Sequence, residues 1–325
     1  MALEARNHIK SVFEKVALVS PETRLRHIGI FSIADCYYQF LYRVRKSQHK
    51  ENNKKFNVVI CAIFKNEAAY LKEWIEFHRI VGIDHFFLYN NLSEDNYREV
   101  LEPYIKSGIV DLIEWPYPQT QLKAYADFLK HHADDAKWVG FIDIDEFVVP
   151  KACNSIYEFL KNYENTPAVL IYWRLFGSSG LTERDIQGFV TEDFTVAWPK
   201  LDEVGKCFFN TAYELDTSYA KNTTFHHYAW GKKNNRYYPP VNISGYVCTS
   251  RQRDKLKNHE IPIQINHYFT KSYGEYLAKR SKGDVYFKVN PHDLDYFYKH
   301  EMKCTKVDHS AYKYLIKLKH AMEEA

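Results

Sequence analysis

From Phe56 onward the chain alternates short apolar runs with segments of helical period. Asn57-Val-Val-Ile-Cys-Ala-Ile-Phe64 is a continuous apolar run, the pattern of a strand buried on both faces of a parallel sheet. Between Glu67 and Val81, the residues Leu71, Trp74, Ile75, His78 and Val81 fall on related helix faces, and Gly82 closes the segment. The same alternation predicts a strand over 84–89, a helix over 93–107 closed by Gly108, a strand over 109–115 and a helix over 121–133. A fourth strand over 138–144 ends on Asp143-Ile144-Asp145. Strand–helix repeats of these lengths form βαβ units, so the expected fold is α/β, Rossmann-like, with a mostly parallel central sheet flanked by helices.

The second half is less regular. Strand-like pieces fall at 169–176, 194–198, 223–228 and 263–269, with the loop Gly177-Ser-Ser-Gly180 after the first. A basic helix is expected over 273–282 and a terminal one over 312–324. With no repeat or low-complexity tract, the expected organisation is a helical basic extension over 1–55, one α/β domain over 56–290 and a helical tail over 291–325.

Composition narrows this picture only slightly. Hydrophobic residues at 46% and charged residues at 26% are globular values. A net charge of +3 is too weak to imply nucleic acid. The six cysteines are scattered without a CxxC pair, which argues against a zinc ribbon or a small disulfide framework and fits reduced thiols. Aromatics reach 16%, with 26 Tyr and 21 Phe; core packing explains most of this, and stacking on sugar rings or bases explains the rest. Between Tyr42 and Lys55, Arg43, Arg45, Lys46, Lys50, Lys54 and Lys55 face only Glu51. That stretch reads first as a solvated linker and second as a contact for anionic lipid headgroups. The opening ten residues are polar, and the apolar stretch 27–41 is short and broken by Asp35. The expectation is therefore a cytoplasmic protein, at most peripheral at the inner membrane face.

Candidate chemistry gathers at the strand ends, where open α/β sheets bind ligands. The clusters are Lys65-Asn66-Glu67, Asn90-Asn91 with Ser93 and Asp95, and Asp143-Ile144-Asp145-Glu146. Two carboxylates at i and i+2 after a buried strand suit Mn2+ or Mg2+, a cation that retains open positions for phosphate oxygens. Such a cation offsets charge developing on a diphosphate leaving group. Each cluster has a plainer reading as well. Asn66 and Glu67 also suit a helix N-terminus, and Asn90 and Asn91 suit a turn. His78 and His85 sit among apolar residues and read as structural. A haloacid-dehalogenase-like phosphotransferase would want its DxD near the N-terminus and Thr or Val where Phe147 stands. A non-catalytic nucleotide- or glycan-binding protein is the other alternative.

The residues from 56 to 285 resemble glycosyltransferase family 92 and the related family 2-like enzymes. The resemblance rests on Phe64-Lys-Asn-Glu-Ala68, Leu71-Lys-Glu-Trp74, Glu76-Phe-His78, Gly82-Ile-Asp-His85, Tyr89-Asn-Asn-Leu-Ser93, Gln121 with Ala124-Tyr125, and Phe141-Ile-Asp-Ile-Asp-Glu-Phe147. It continues through Trp173-Arg174, Phe176 to Gly180, Lys206, His226-His227-Tyr228, Asn266-His-Tyr268, Lys271-Ser272 and Lys279-Arg280. It implies a GT-A fold and transfer of a hexose, galactose or glucose, from a UDP-sugar to a glycan or lipid-linked saccharide in bacterial surface-polysaccharide or lipopolysaccharide synthesis. Asn66, Glu67, Asn90, Asn91 and Gln121 would then border the nucleotide, and Asp143 the ribose and metal. Asp145 and the distant His267 would bind metal, with His226 as competitor. Lys206, Lys271, Lys279, Arg280 and Lys282 would face phosphates or acceptor. Glu183, Asp185 and Glu214 are the candidate bases of a transfer expected to be inverting.

Overall fold

The computed structural model describes residues 21–44, 54–185, 187–215, 225–249, 261–281 and 293–324, with side chains described from residue 33. The basic stretch 45–53, Lys282 and Gly283 lie outside these residues.

Helix α1 (Pro21–Val44) precedes the strand–helix series β1 (Phe56–Phe64), α2 (Ala68–Ile80), β2 (His85–Asn90), α3 (Tyr97–Lys106), β3 (Val110–Glu114), α4 (Gln121–His131) and β4 (Ala136–Phe141). β1, β2, β3 and β4 are parallel neighbours, with β1 between β2 and β4. This is the α/β architecture expected from the alternating pattern. β1 is fully buried from Val58 to Phe64 and β2 along its whole length, which explains their continuous apolar runs.

β5 (Glu146–Pro150), α5 (Ile156–Leu160), β6 (Ala168–Leu175), α6 (Val190–Asp193), β7 (Val196–Ala197) and β8 (Gly205–Asn210) follow. Next come β9 (Glu214–Leu215), β10 (Gly231–Lys233), β11 (Arg236–Tyr238), β12 (Val241–Asn242) and β13 (Ile263–His267). The chain ends with α7 (Tyr273–Ser281), α8 (Leu294–Glu301), β14 (Lys306–Val307) and α9 (Tyr312–Glu324). β8 runs antiparallel between β4 and β6, and β13 lies between β6, parallel, and β5, antiparallel. β9 to β11 form a separate three-stranded sheet.

Several boundaries differ from expectation. The fourth strand stops at Phe141, so Asp143 to Asp145 sit in a turn leading into β5, a strand that the apolar pattern alone did not separate. Strand 194–198 shrinks to Val196–Ala197, and Phe225 to Tyr228 is turn, with 221–224 outside the described residues. β8 was not expected: Lys206 interrupts its apolar pattern although the residue is fully buried. Gly205 is required there, because a Cβ would stand 1.9 Å from the Ile171 carbonyl oxygen on the neighbouring strand.

Two expected structural histidines prove so. The His78 Nδ1–H donates to the Trp74 carbonyl at 2.8 Å, its Nε2 accepts from the Val148 N–H at 3.2 Å, and burial pushes its pKa down to about 3. His85 spans the Gly108 carbonyl and Asp111.

The tail is helical as expected, but it is no appendage. Tyr314, Leu315 and Leu318 on α9 are buried, and Tyr314 packs edge-on against Phe77 of α2 at 5.8 Å while donating to the Pro150 carbonyl at 2.6 Å. β14 pairs with β7. α1 is held by Tyr38 and Tyr42, whose hydroxyls donate to the Tyr237 and Pro239 carbonyls. Among the described residues no helix is long and apolar enough to cross a membrane.

Leu318 has no exposed surface. Leu318→Ala should therefore destabilise the whole domain by about 2–5 kcal/mol in urea unfolding followed by tryptophan fluorescence; an unchanged midpoint would show that α9 is not part of the cooperative core.

Candidate active site

The chain leaves β1 through Asn66, which adopts φ 55. Asparagine tolerates this left-handed backbone better than most residues. Its N–H donates to Ser93 Oγ at 2.9 Å, and its Oδ1 accepts from the Glu94 N–H at 2.7 Å, so it ties the β1 exit to the β2 exit. Glu67 stands at the N-cap of α2 without making a side-chain cap. That role falls to Asp95, whose carboxylate accepts the Ala68 N–H at 2.8 Å. The Glu67 carboxylate turns instead toward the Lys271 ammonium, 3.9 Å away.

Asn90 and Asn91 follow the second of their two readings. Asn90 donates to the Tyr97 hydroxyl and Glu114, and Asn91 to the Trp115 and Tyr117 carbonyls. Both are buried struts of the β2 and β3 exits, which matches the plainer reading of them as turn residues.

The turn after β4 is locked from beneath. The Trp74 indole N–H donates to both the Asp143 and the Glu146 carbonyl, and Glu146 Oε2 accepts the Asp143 N–H at 3.1 Å. Asp143 Oδ1 accepts from Gln121 at 3.2 Å and from Tyr125 at 3.3 Å, while Lys206 donates to its Oδ2 at 2.8 Å. Burial alone would lower the Lys206 pKa, but Asp143 and Glu146 raise it and keep the ammonium charged. Glu146 goes the other way. Complete burial lifts its carboxyl well above the usual range against the pull of Lys206, and the neighbouring Asp143 and Asp145 lift it further. Its Oε1 has no hydrogen-bond partner.

Asp145 faces the opposite side of the turn. Lys279 of α7 donates to its Oδ2 at 2.6 Å, and His267 Nε2 lies 3.6 Å from its Oδ1. Burial would raise the Asp145 carboxyl, yet Lys279 and His267 hold it well below the usual range. His267 ends β13 and opposes Glu146 in the ladder, so β5 and β13 together set this pair. Lys271 has φ 52 and lies with its ammonium 3.5 Å from the Tyr70 ring centroid. Burial depresses its pKa despite Glu67 and Asp145 nearby.

Lys271 and Lys279 open onto a cavity of about 460 Å³ whose lining also includes Asn66, Glu67, Asp95, Glu183, Arg184 and Glu275; Asp143, Asp145, Lys206 and His267 lie behind this lining and not in it. Of the candidate bases, Glu183 lines it, its carboxylate set against Gly274 at the start of α7. Asp185 is exposed and accepts the Gln187 N–H. Glu214 lies on the separate small sheet, 3.5 Å from Lys232. Arg280 follows Lys279 on α7 without lining the cavity. His226 stacks near Tyr125 and His227, at 5.3 and 4.2 Å between ring centroids.

Two cavity residues had no role assigned from the sequence, although Glu275 stands in a stretch that carries the family resemblance. Arg184, almost wholly buried, bridges Glu275 at 3.2 Å and the Gly188 carbonyl at 2.9 Å. Glu275 in turn accepts from the Tyr70 hydroxyl and from Ser272. Ser272-x-x-Glu275 is a capping box at the start of α7, a signal that was present in the sequence.

The donor set suits a hard divalent cation in part. Asp145 Oδ1 and His267 Nε2 at 3.6 Å are close enough to share one ion, and Lys279 already supplies a positive charge there. Asp143 does not join them in a compact group of three, because Lys206, Gln121 and Tyr125 hold its carboxylate.

The sequence profile described as Glycosyltransferase family 92 matches residues 54–260. A family 92 protein of Oryza sativa subsp. japonica is 32% identical over 142 residues, which cover 42% of this chain and 24% of that protein. The β-1,4-galactosyltransferase galt-1 of Caenorhabditis elegans is 28% identical over 112 residues, covering 31% of this chain and 26% of that one. The matched segment thus spans about a quarter of the length of these curated relatives. Among solved structures, S. aureus TarS 1–349 in complex with UDP-GlcNAc shares 11% identity at a TM-score of 0.36, over 63% of this chain and 62% of that one. Glucosyl-3-phosphoglycerate synthase from Mycobacterium tuberculosis, in complex with Mn2+, UDP and glucosyl-3-phosphoglycerate, shares 18% identity at a TM-score of 0.27, over 37% and 44% of the two chains. With its family profile covering more than half of its length, this chain belongs to glycosyltransferase family 92.

Proposed function

We propose that this chain is a metal-dependent glycosyltransferase that moves a hexose from a UDP-sugar to a glycan acceptor. The observation that carries this reading is the contact between Lys279 and Asp145 at the edge of the strand-end cavity. A diphosphate paired with a divalent cation would divide these two charges between them. The cation would take Asp145 and His267, with Asp143 as a further ligand once Lys206 is drawn to phosphate. Mn2+ or Mg2+ held there would offset charge on the diphosphate. Lys271 and Lys279 would bind the phosphate oxygens. Glu67, 3.9 Å from the Lys271 ammonium, would hold that lysine in place.

Glu183 is the favoured base of an inverting transfer, because among the three candidates it alone lines the cavity. A carboxylate exposed on that wall can accept the proton of an acceptor hydroxyl. Galactose as the donor sugar draws support from the name of the nematode relative. The curated relatives are plant and nematode proteins, so a lipopolysaccharide acceptor gains nothing from them, and the proposal stops at a glycan.

The test is UDP release and glycoside formation from a panel of UDP-sugars, with and without Mn2+. Turnover of at least one donor, lost on chelation, is expected. No turnover of any donor, combined with measurable UDP binding, would favour the non-catalytic binding protein instead. Asp145→Asn should lower kcat by about 100-fold or more while the circular dichroism spectrum is unchanged, because it removes a ligand charge and not packing; wild-type activity in this variant would sink the metal assignment. Glu183→Gln should lower kcat by roughly 10²–10⁴ with little change in donor KM. Retained activity there would point to a retaining mechanism or another base.

A further inference from the structure

A second cluster of ligand-type side chains lies away from the strand-end cavity, where α8 meets the loop after β6. His300, Glu301 and Cys304 each place one ligand atom within 4.8 Å of the others, the one such group of three among the described residues. Around a tetrahedral zinc, donor atoms stand roughly 3–4 Å apart, so a contraction of about an ångström would bring the three into range of one ion, with the fourth position left to water. The spacing is favourable, since residues at i and i+4 share one side of a helix and its continuation.

The surroundings are those of oriented ligands. His300 is 3% exposed, and its Nε2 lies 2.9 Å from the Phe176 carbonyl oxygen. A carbonyl only accepts, so Nε2 carries the proton and Nδ1 the lone pair. That Nδ1 is buried without a hydrogen-bond partner, an expensive arrangement unless something occupies it. Glu301 is fixed through the Ser178 N–H at 2.8 Å and the Ser178 hydroxyl at 2.7 Å. A backbone carbonyl behind a histidine and hydrogen bonds behind a carboxylate are the supports that metal ligands receive. Gly177 confirms how closely two of the groups converge. A Cβ there would stand 2.6 Å from Glu301 Oε1 and 2.7 Å from Cys304 Sγ, so only glycine leaves the space open.

We propose that His300, Glu301 and Cys304 form a binding site for zinc or a similar thiolate-seeking divalent cation, distinct from the hard-cation site at Asp145. Thiolate and imidazole select zinc over magnesium or manganese. Its role is structural. The site joins α8 to the loop from Phe176 to Gly180, and that loop leads directly to Glu183 and Arg184 in the cavity wall. The scattered cysteines, which argue against a zinc ribbon, leave room for a site with one thiolate.

The test uses the full chain, reduced and stripped with chelator, then titrated with Co2+ and with Zn2+ against a chromophoric competitor. We expect one equivalent of Co2+ to give a thiolate-to-cobalt charge-transfer band, displaced by Zn2+. Cys304→Ser should abolish the band although five other cysteines remain. Ser178→Ala, which removes the hydroxyl support of Glu301 together with the acceptor of the Gly180 N–H, should weaken zinc by about 10- to 100-fold. Asp145→Asn should leave the band intact, separating this site from the proposed catalytic metal. A folded wild-type chain that gives no thiolate–cobalt band would overturn the proposal, as would a band that survives in Cys304→Ser.

Discussion

Everything at the strand ends depends on balancing buried charge. Three carboxylates, Asp143, Asp145 and Glu146, stand within four residues of one another, and two of them are almost wholly buried. Left alone they could not all remain ionised. Lys206 comes from β8 and Lys279 from α7, one on either side of the turn, while Glu146 rises toward its neutral form. This arrangement explains how β8 can lie between β4 and β6 with a buried lysine at its start. It also explains why α7 docks over the end of β13.

The first half of the fold was legible because β1 and β2 are buried on both faces and the helices between them show a clear period. The second half was not, for physical reasons that particular residues illustrate. β5 follows the DxD turn so closely, and is so short, that its apolar residues were not set apart as a strand of their own. β8 contains Lys206, a buried cation whose presence makes sense only beside Asp143, and such a pairing is tertiary information. Local rules tend to fail where a site needs an unfavourable residue in the core.

The site shows the same division. Asp143, Asp145, Lys206, His267, Lys271 and Lys279 could be named from motif and resemblance; Lys206, His267 and Lys279 meet the acidic turn, and Lys271 and Lys279 reach the cavity. Asn90 and Asn91 looked equally suitable by residue type, but their hydrogen bonds are spent on the β2 and β3 exits. Glu214 shows the limit most clearly: an acid in the right stretch of sequence, carried onto a separate small sheet by a turn that no periodicity announces. Conversely, Arg184 and Glu275 have the identities of ordinary surface residues, and burial in mutual contact is what makes them part of the cavity.

The pairing of β5 has a consequence for how this chain is made. Among the described residues β5 has one ladder partner, β13, which the ribosome supplies only after the chain has run on from Pro150 to Ile263. Through that interval Phe147, Val148 and Val149 present an apolar strand edge with no complement. Such edges attract other chains, and long-range pairings form slowly. The strand that aligns His267 with the acidic turn is thus also the one that covers the inner edge of β5. One pairing serves both the candidate metal pair and the burial of an aggregation-prone edge.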